Sequence, residues 1–205
     1  TLFPYTTLFR SIINKYESDH HLLMNQRAVE MVAELMALSA RTAPKGRGQD
    51  SIETVILCGD RLQELADEMR KMGRARGLNF FLRDAANVEK SDACLVIGLR
   101  GESVGLDCGG CGHITCQKMH DAQRDFLEKQ PEKLFHGPCC AIKVTDLGIA
   151  LGSAAKTAGL HNVDNRIMFS AGADALSKKM LQGCLMAYAL PLKAGGKSIY
   201  FDRTA

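Results

Sequence analysis

Apolar residues return every three or four positions between Asn25 and Ala40, at Val29, Val32, Ala33, Leu35, Met36 and Ala40, which predicts an amphipathic helix. Pro44 and Gly46 then stop it. Ile52–Cys58 opens in alternation and becomes continuously apolar, the pattern of a strand entering a core. Gly59-Asp60 closes that strand, and Asp60 is the expected N-cap of a helix carrying Leu62, Leu65, Ala66 and Met69. This helix ends in the basic stretch from Gly73 to Gly77. A short helical pattern covers Phe80 to Val88, and Ala93–Leu99, the most β-like run in the chain, predicts a central strand. A polar helix is expected from about Thr115 to Glu128. Another is expected with Thr145 as N-cap, running through Leu147, Ile149, Ala150, Leu151 and Ala154, and a third from about Asn165 to Lys179. Leu185–Leu190 reads as the last strand. Helices alternating with strands predict an α+β protein, a layered α/β sandwich around a short sheet.

Composition narrows the class. A chain of 205 residues, 46% apolar, buries one sizeable core, so one domain is the default. Its 26 Lys and Arg against 23 Asp and Glu leave +3, spread along the chain, which argues against a nucleic-acid partner. The longest apolar run, Cys184–Leu192, is far short of the roughly 20 residues that cross a bilayer, so no membrane span is expected. Eight cysteines without an apolar leader and cleavage site point to a reducing compartment, the cytoplasm, where thiols are free for metal. The opening segment, residues 1–11 (Thr1 to Ser11), resembles the translated read-through of a sequencing adaptor and is read as non-native. A single α+β domain is then expected over residues 12–205, with a Cys-rich insertion at about 101–140.

The chemistry concentrates in that insertion. Cys108, Cys111 and Cys116 form a C-x2-C-x4-C run with Gly109, Gly110 and Gly112 between them, and Cys139-Cys140 follow after Gly137-Pro138. A cubane iron–sulfur cluster needs four converging thiolates and a backbone free enough to wrap it and offer N–H groups to the sulfides. Cys140 is the favoured fourth ligand, with Cys139 as the alternative. Structural zinc also takes four cysteines, though its sites usually come as two C-x2-C knuckles. A redox disulfide between Cys108 and Cys111 is a further reading, and His113, His120 and His136 are spare ligands near the loop. Cys58, Cys94 and Cys184 lie in apolar strand runs and read as core.

At these residues the sequence resembles a family of bacterial and archaeal ferredoxin-domain-containing proteins of unknown function. The matching segments are Ala40–Gly48, Phe81–Ala85, Cys108–Cys116, Asp146–Ala154 and Asp164–Arg166. The resemblance implies a [4Fe-4S] cluster, and with it electron transfer to and from an unidentified donor and acceptor. A wider similarity, carried by the helix ending at Ala43-Pro44, the strand after it, the Asp146 helix and the strand ending at Pro191-Leu192, is to nitroreductase-like flavoproteins. It implies a nitroreductase-like scaffold, a homodimer and FMN, with the flavin phosphate held by the loop after the Ala-Pro pair. The expected function is therefore a [4Fe-4S] redox protein, extending to a flavin-linked oxidoreductase. The alternative is a zinc-stabilised, non-catalytic binding module.

Three cations are the candidates for that phosphate. Lys45 and Arg47 sit in the basic turn Lys45-Gly46-Arg47-Gly48, whose backbone N–H groups suit an anion. Arg166 follows Asp164-Asn165 at an expected helix start, where the helix dipole also favours an anion. A solvated turn and a capped helix end explain the same residues.

Overall fold

The computed structural model describes residues 24–201, so the 1–11 segment lies outside the described residues. A four-stranded antiparallel sheet in the order β1-β2-β4-β3 forms the middle layer, from β1 (Ile52–Cys58), β2 (Ala93–Arg100), β3 (Asp164–Asn165) and β4 (Cys184–Lys193). Helices α1 (24–42) and α5 (Ala141–Leu160) cover one face. Helices α2 (Asp60–Arg76), α3 (Asn79–Glu89) and α6 (Phe169–Ser177) cover the other. The last element, α4 (Cys116–Lys129), stands beside the sheet in the segment between β2 and α5.

The strands explain the layering. In β2 the side chains of Cys94 and Val96 enter one core, while Ala93, Leu95, Ile97 and Leu99 enter the other. Period-2 alternation with both faces apolar is the signature of a strand covered on two sides. Among its turns, α2 closes at Gly77 with φ 67°, a left-handed cap that L side chains resist. Gly172 lets α6 press onto β4: a Cβ there would lie 2.2 Å from the Ala187 carbonyl oxygen. Asp174, on the same helix, is buried with no hydrogen bond to either carboxylate oxygen.

Several expected boundaries move. Gly59, at φ 55°, takes the N-cap position of α2, and Asp60 is its first residue. The helix expected to start at Thr145 begins at Ala141, with Cys140 in the N-cap position. Thr145 sits inside it because its Oγ1 donates to the Ala141 carbonyl at 3.0 Å, an arrangement a helix interior tolerates. The helix expected from Asn165 starts only at Phe169, because Asp164 and Asn165 are drawn into pairing with Lys193 and Leu192. The last strand extends beyond the expected Leu185–Leu190 to Cys184–Lys193, and Tyr200 donates to the Pro191 carbonyl at 2.6 Å. Cys94 and Cys184 are buried, and Cys58 is half-buried. Among the described residues no helix is long and apolar enough to cross a membrane.

Candidate metal centre

At the end of β2 the Arg100 guanidinium is tied to Glu53, to Glu102 at 2.8 Å and to the Asp50 carbonyl at 2.8 Å, and the chain leaves the sheet. Gly105, Asp107, Gly109 and Gly112 all take positive φ, which curls the segment on itself. Asp107 Oδ1 accepts from the Cys116 N–H at 2.6 Å, and Gly112 N–H donates to the Gly109 carbonyl at 2.9 Å. The Thr115 hydroxyl accepts from the Lys118 N–H at 3.2 Å and so caps α4. Cys108 and Cys111 thus lie in a loop that is clasped shut at the turn carrying Cys116.

That loop rests on the start of α5. Val104, Met119 and Cys140 form a small buried cluster, against which Cys111 and Ile142 pack. A Cβ on Gly110 would lie 3.5 Å from Ala141 Cβ and 3.6 Å from Cys108 Sγ. Cys139 is turned elsewhere, its Sγ donating to the His136 carbonyl at 3.3 Å. Burial, with Cys140 alongside, pushes its thiol up to about 11. Among the described residues no three His, Cys, Asp or Glu side chains close to metal-binding distance. Thiols are the right donor type for a thiophilic centre, and of the four candidate cysteines Cys111 and Cys140 pack around Val104 and Met119. His120 is engaged with the Ser103 hydroxyl at 3.1 Å and His136 with the Pro131 carbonyl at 3.3 Å.

The three candidate phosphate ligands do not converge within one chain. The Lys45 ammonium donates to the carbonyls of Ala40, Arg41 and Ala43 at 2.9, 2.7 and 2.9 Å, closing the C-terminus of α1. The Gly46, Gly48 and Gln49 N–H groups are bound to Asp146 Oδ1, the Lys45 carbonyl and the Gly46 carbonyl, so the turn is not an open anion cradle. Arg47 is exposed and reaches the Val104 carbonyl at 3.3 Å, beside the cysteine loop. Arg166, also exposed, follows β3 and precedes the helix start by three residues, so no helix N-terminus backs it. The register places Ile52 opposite Leu99 but Asn165 and Ala93 both opposite Leu192. The Lys45 turn, just before β1, therefore lies toward the Leu99 end of β2, whereas Arg166 lies nearer its Ala93 end.

Two residues beneath the turn escaped the sequence reading. Lys143 and Asp146 are buried, with Asp146 Oδ1 accepting from the Gly46 N–H at 2.9 Å and Lys143 Nζ donating to the Gln49 carbonyl at 2.5 Å. Their signal was present: both fall on the stripe of Leu147, Ala150, Leu151 and Ala154, where only apolar residues are expected. Gln123, buried on the otherwise polar α4, donates to the Pro138 carbonyl at 3.0 Å and ties that helix to the turn before Cys140.

The α+β architecture is the nitroreductase fold. NfrA1 from B. megaterium matches with a TM-score of 0.50 at 11% identity, covering 86% of this chain and 61% of that one. Nitroreductase A from Vibrio parahaemolyticus gives 0.48 at 12% identity, covering 82% and 59%. The chain thus spans about three fifths of the length of these solved proteins. In sequence, a family model described as uncharacterized protein containing a ferredoxin domain matches residues 136–203. A protein of Archaeoglobus fulgidus is 40% identical over 188 residues, 89% of this chain and 98% of that protein. The chain belongs to this ferredoxin-domain family. The matched segment holds the Cys139-Cys140 pair, α5 and β4, and begins after the cysteine loop.

Proposed function

We propose that this protein transfers single electrons through a [4Fe-4S] cluster held by Cys108, Cys111, Cys116 and Cys140. The observation that carries this reading is the seating of the clasped loop on the first turn of α5, with Cys111 and Cys140 packed around Val104 and Met119. A cluster bound there supplies one-electron redox chemistry. The chain's own groups do the rest: Asp107 holds the loop closed, the positive-φ glycines let it curl, and Met119 and Val104 keep water from the inner side. Cys108 is exposed and marks the solvent side, where a donor or acceptor protein meets the centre. The reading places the chain in the cytoplasm, where its thiols stay reduced.

Two extensions follow from the same reading. Bound FMN would make the protein a flavin-linked oxidoreductase, and Arg47, beside the cysteine loop, is the cation of the Lys45 turn still facing solvent. A second copy of this chain is the proposed partner of α1. Its outward face carries Met24, Met31, Leu35 and Leu38, all exposed, at the heptad-like spacing of a helix seam. Arg27 and Glu34 border that seam, and an antiparallel pairing of two copies sets each against its opposite charge.

The test is iron, acid-labile sulfide, zinc and flavin content of anaerobically purified protein, with the visible spectrum recorded before and after reduction. About four iron and four sulfide per chain, with absorbance that bleaches on reduction, are expected. Zinc alone, without bleaching, overturns the redox reading in favour of a zinc-stabilised binding module.

A further inference from the structure

Among the described residues one ion pair has both side chains buried: Lys143 and Asp146, at 1% and 5% side-chain exposure and 3.5 Å apart. Burying two opposite charges rarely stabilises a fold more than apolar side chains of similar volume would. The pair is also incompletely bonded, since Asp146 Oδ2 accepts no hydrogen bond and the Lys143 ammonium has the Gln49 carbonyl as its hydrogen-bond acceptor. Its position gives it another use. Lys143 lies three residues after Cys140 on α5, and one layer of side chains separates the pair from the cysteines. Ile142 and Val104 form that layer, meeting the Gly46 turn on one side and packing with Cys140 and Cys111 on the other.

We infer that Lys143 and Asp146 set the reduction potential of the centre held by Cys108, Cys111, Cys116 and Cys140, the ammonium raising it and the carboxylate lowering it. This rests on the iron–sulfur reading above. One-electron reduction adds one negative charge to the centre, so a buried cation one layer away stabilises the reduced form and a buried anion opposes it. Of the other charges at this end of the sheet, Asp50, Glu102 and Arg47 are more exposed and better screened. The Lys45 side chain, at 4% exposure, is as buried as the pair and is engaged with the carbonyls that close α1. Glu102 is held by Arg100 and the Ser51 hydroxyl and also feels Lys143. Lys45 is 3.7 Å from Asp50, and Arg47 is exposed against the Val104 carbonyl.

The experiment is a dithionite titration of anaerobically purified Lys143→Met, Asp146→Asn and wild-type protein, followed by electron paramagnetic resonance. Iron and sulfide are measured on each sample. Lys143→Met is expected at a lower midpoint potential and Asp146→Asn at a higher one, with cluster content kept. A merely structural role lowers cluster content in both and moves the potentials in no opposed sense. Glu102→Gln, a half-exposed site that keeps the fold if Lys143→Met does not, is expected to give a smaller upward shift. Loaded variants that titrate at the wild-type potential, or that both shift the same way, overturn the inference and leave the cluster reading intact. Wild-type protein without iron and sulfide overturns the cluster reading itself, and the inference with it.

Discussion

Asp174→Asn isolates the contribution of one buried carboxyl. Asp174 is 1% exposed, neither of its oxygens has a hydrogen-bond partner, and burial reinforced by the Glu68 carboxylate raises its pKa from 3.8 to about 7 against the pull of Lys178. A raised carboxyl means that the folded chain keeps a proton the unfolded chain releases. Stability is therefore lost as pH climbs from 3.8 to about 7, and is flat above that window. At 1.36 kcal/mol for each pH unit, the full loss is about 4 kcal/mol, a large part of the stability of an ordinary domain. The amide of Asn cannot ionise, so Asp174→Asn removes this slope and leaves a constant cost of about 1–3 kcal/mol for an unpaired amide. Urea denaturation of both proteins at steps from about pH 4 to about pH 8 gives the stability difference directly. The variant should gain on the wild type by up to about 4 kcal/mol across the series. Parallel curves would refute the argument, because the other carboxylates cancel in the difference.

Four further outcomes are expected. Cys111→Ser should lose iron and sulfide while keeping its circular dichroism, and full cluster content in that variant would remove Cys111 from the ligand set. Cys140→Ala should lose the cluster and Cys139→Ala should keep it, since the Cys139 thiol is turned to the His136 carbonyl. Iron analysis that reverses this order would make Cys139 the fourth ligand. Leu35→Glu with Leu38→Glu should convert a dimer to a monomer in light scattering, and an unchanged mass would place the homodimer seam elsewhere. Gly172→Ala should cost about 3 kcal/mol in denaturant titrations, because its Cβ has only backbone to press against at 2.2 Å.

Periodicity carried the long elements because both cores select for it. The stripe of α1 and the two-faced apolar run of β2 were visible from spacing alone, except that Leu35, expected on the stripe, faces outward, and the cysteine loop was visible from its glycines. What escaped depended on pairing across distance. Asp164 and Asn165 look like a helix start until Lys193 and Leu192 lie beside them. Lys45 looks like a free cation until the end of α1 presents three carbonyls to it. The separation of Arg166 from the Lys45 turn follows from strand register, which no local window contains. Lys143 and Asp146 were hidden differently: they sit where the pattern calls for apolar side chains, and their partners come from a turn nearly a hundred residues away.

The crossing from one helical layer to the other passes through the candidate centre. Just after α4, Leu134 and Phe135 pack against the core under α2, α3 and α6, with Phe135 edge-on to Phe169 and Tyr188 at 4.9 and 5.6 Å. The His136 N–H then pairs with the Leu185 carbonyl at the start of β4, and by Ala141 the chain has entered the helix that covers the opposite core. Fixing Cys140 to the loop at Cys108–Cys116 would rivet this crossover, so that neither layer can peel from the sheet without straining the other. Metal loading should then change how the molecule opens more than what it looks like. Amide protons of α3 and α5, exchanging as separate units in the empty protein, should exchange together in the loaded one.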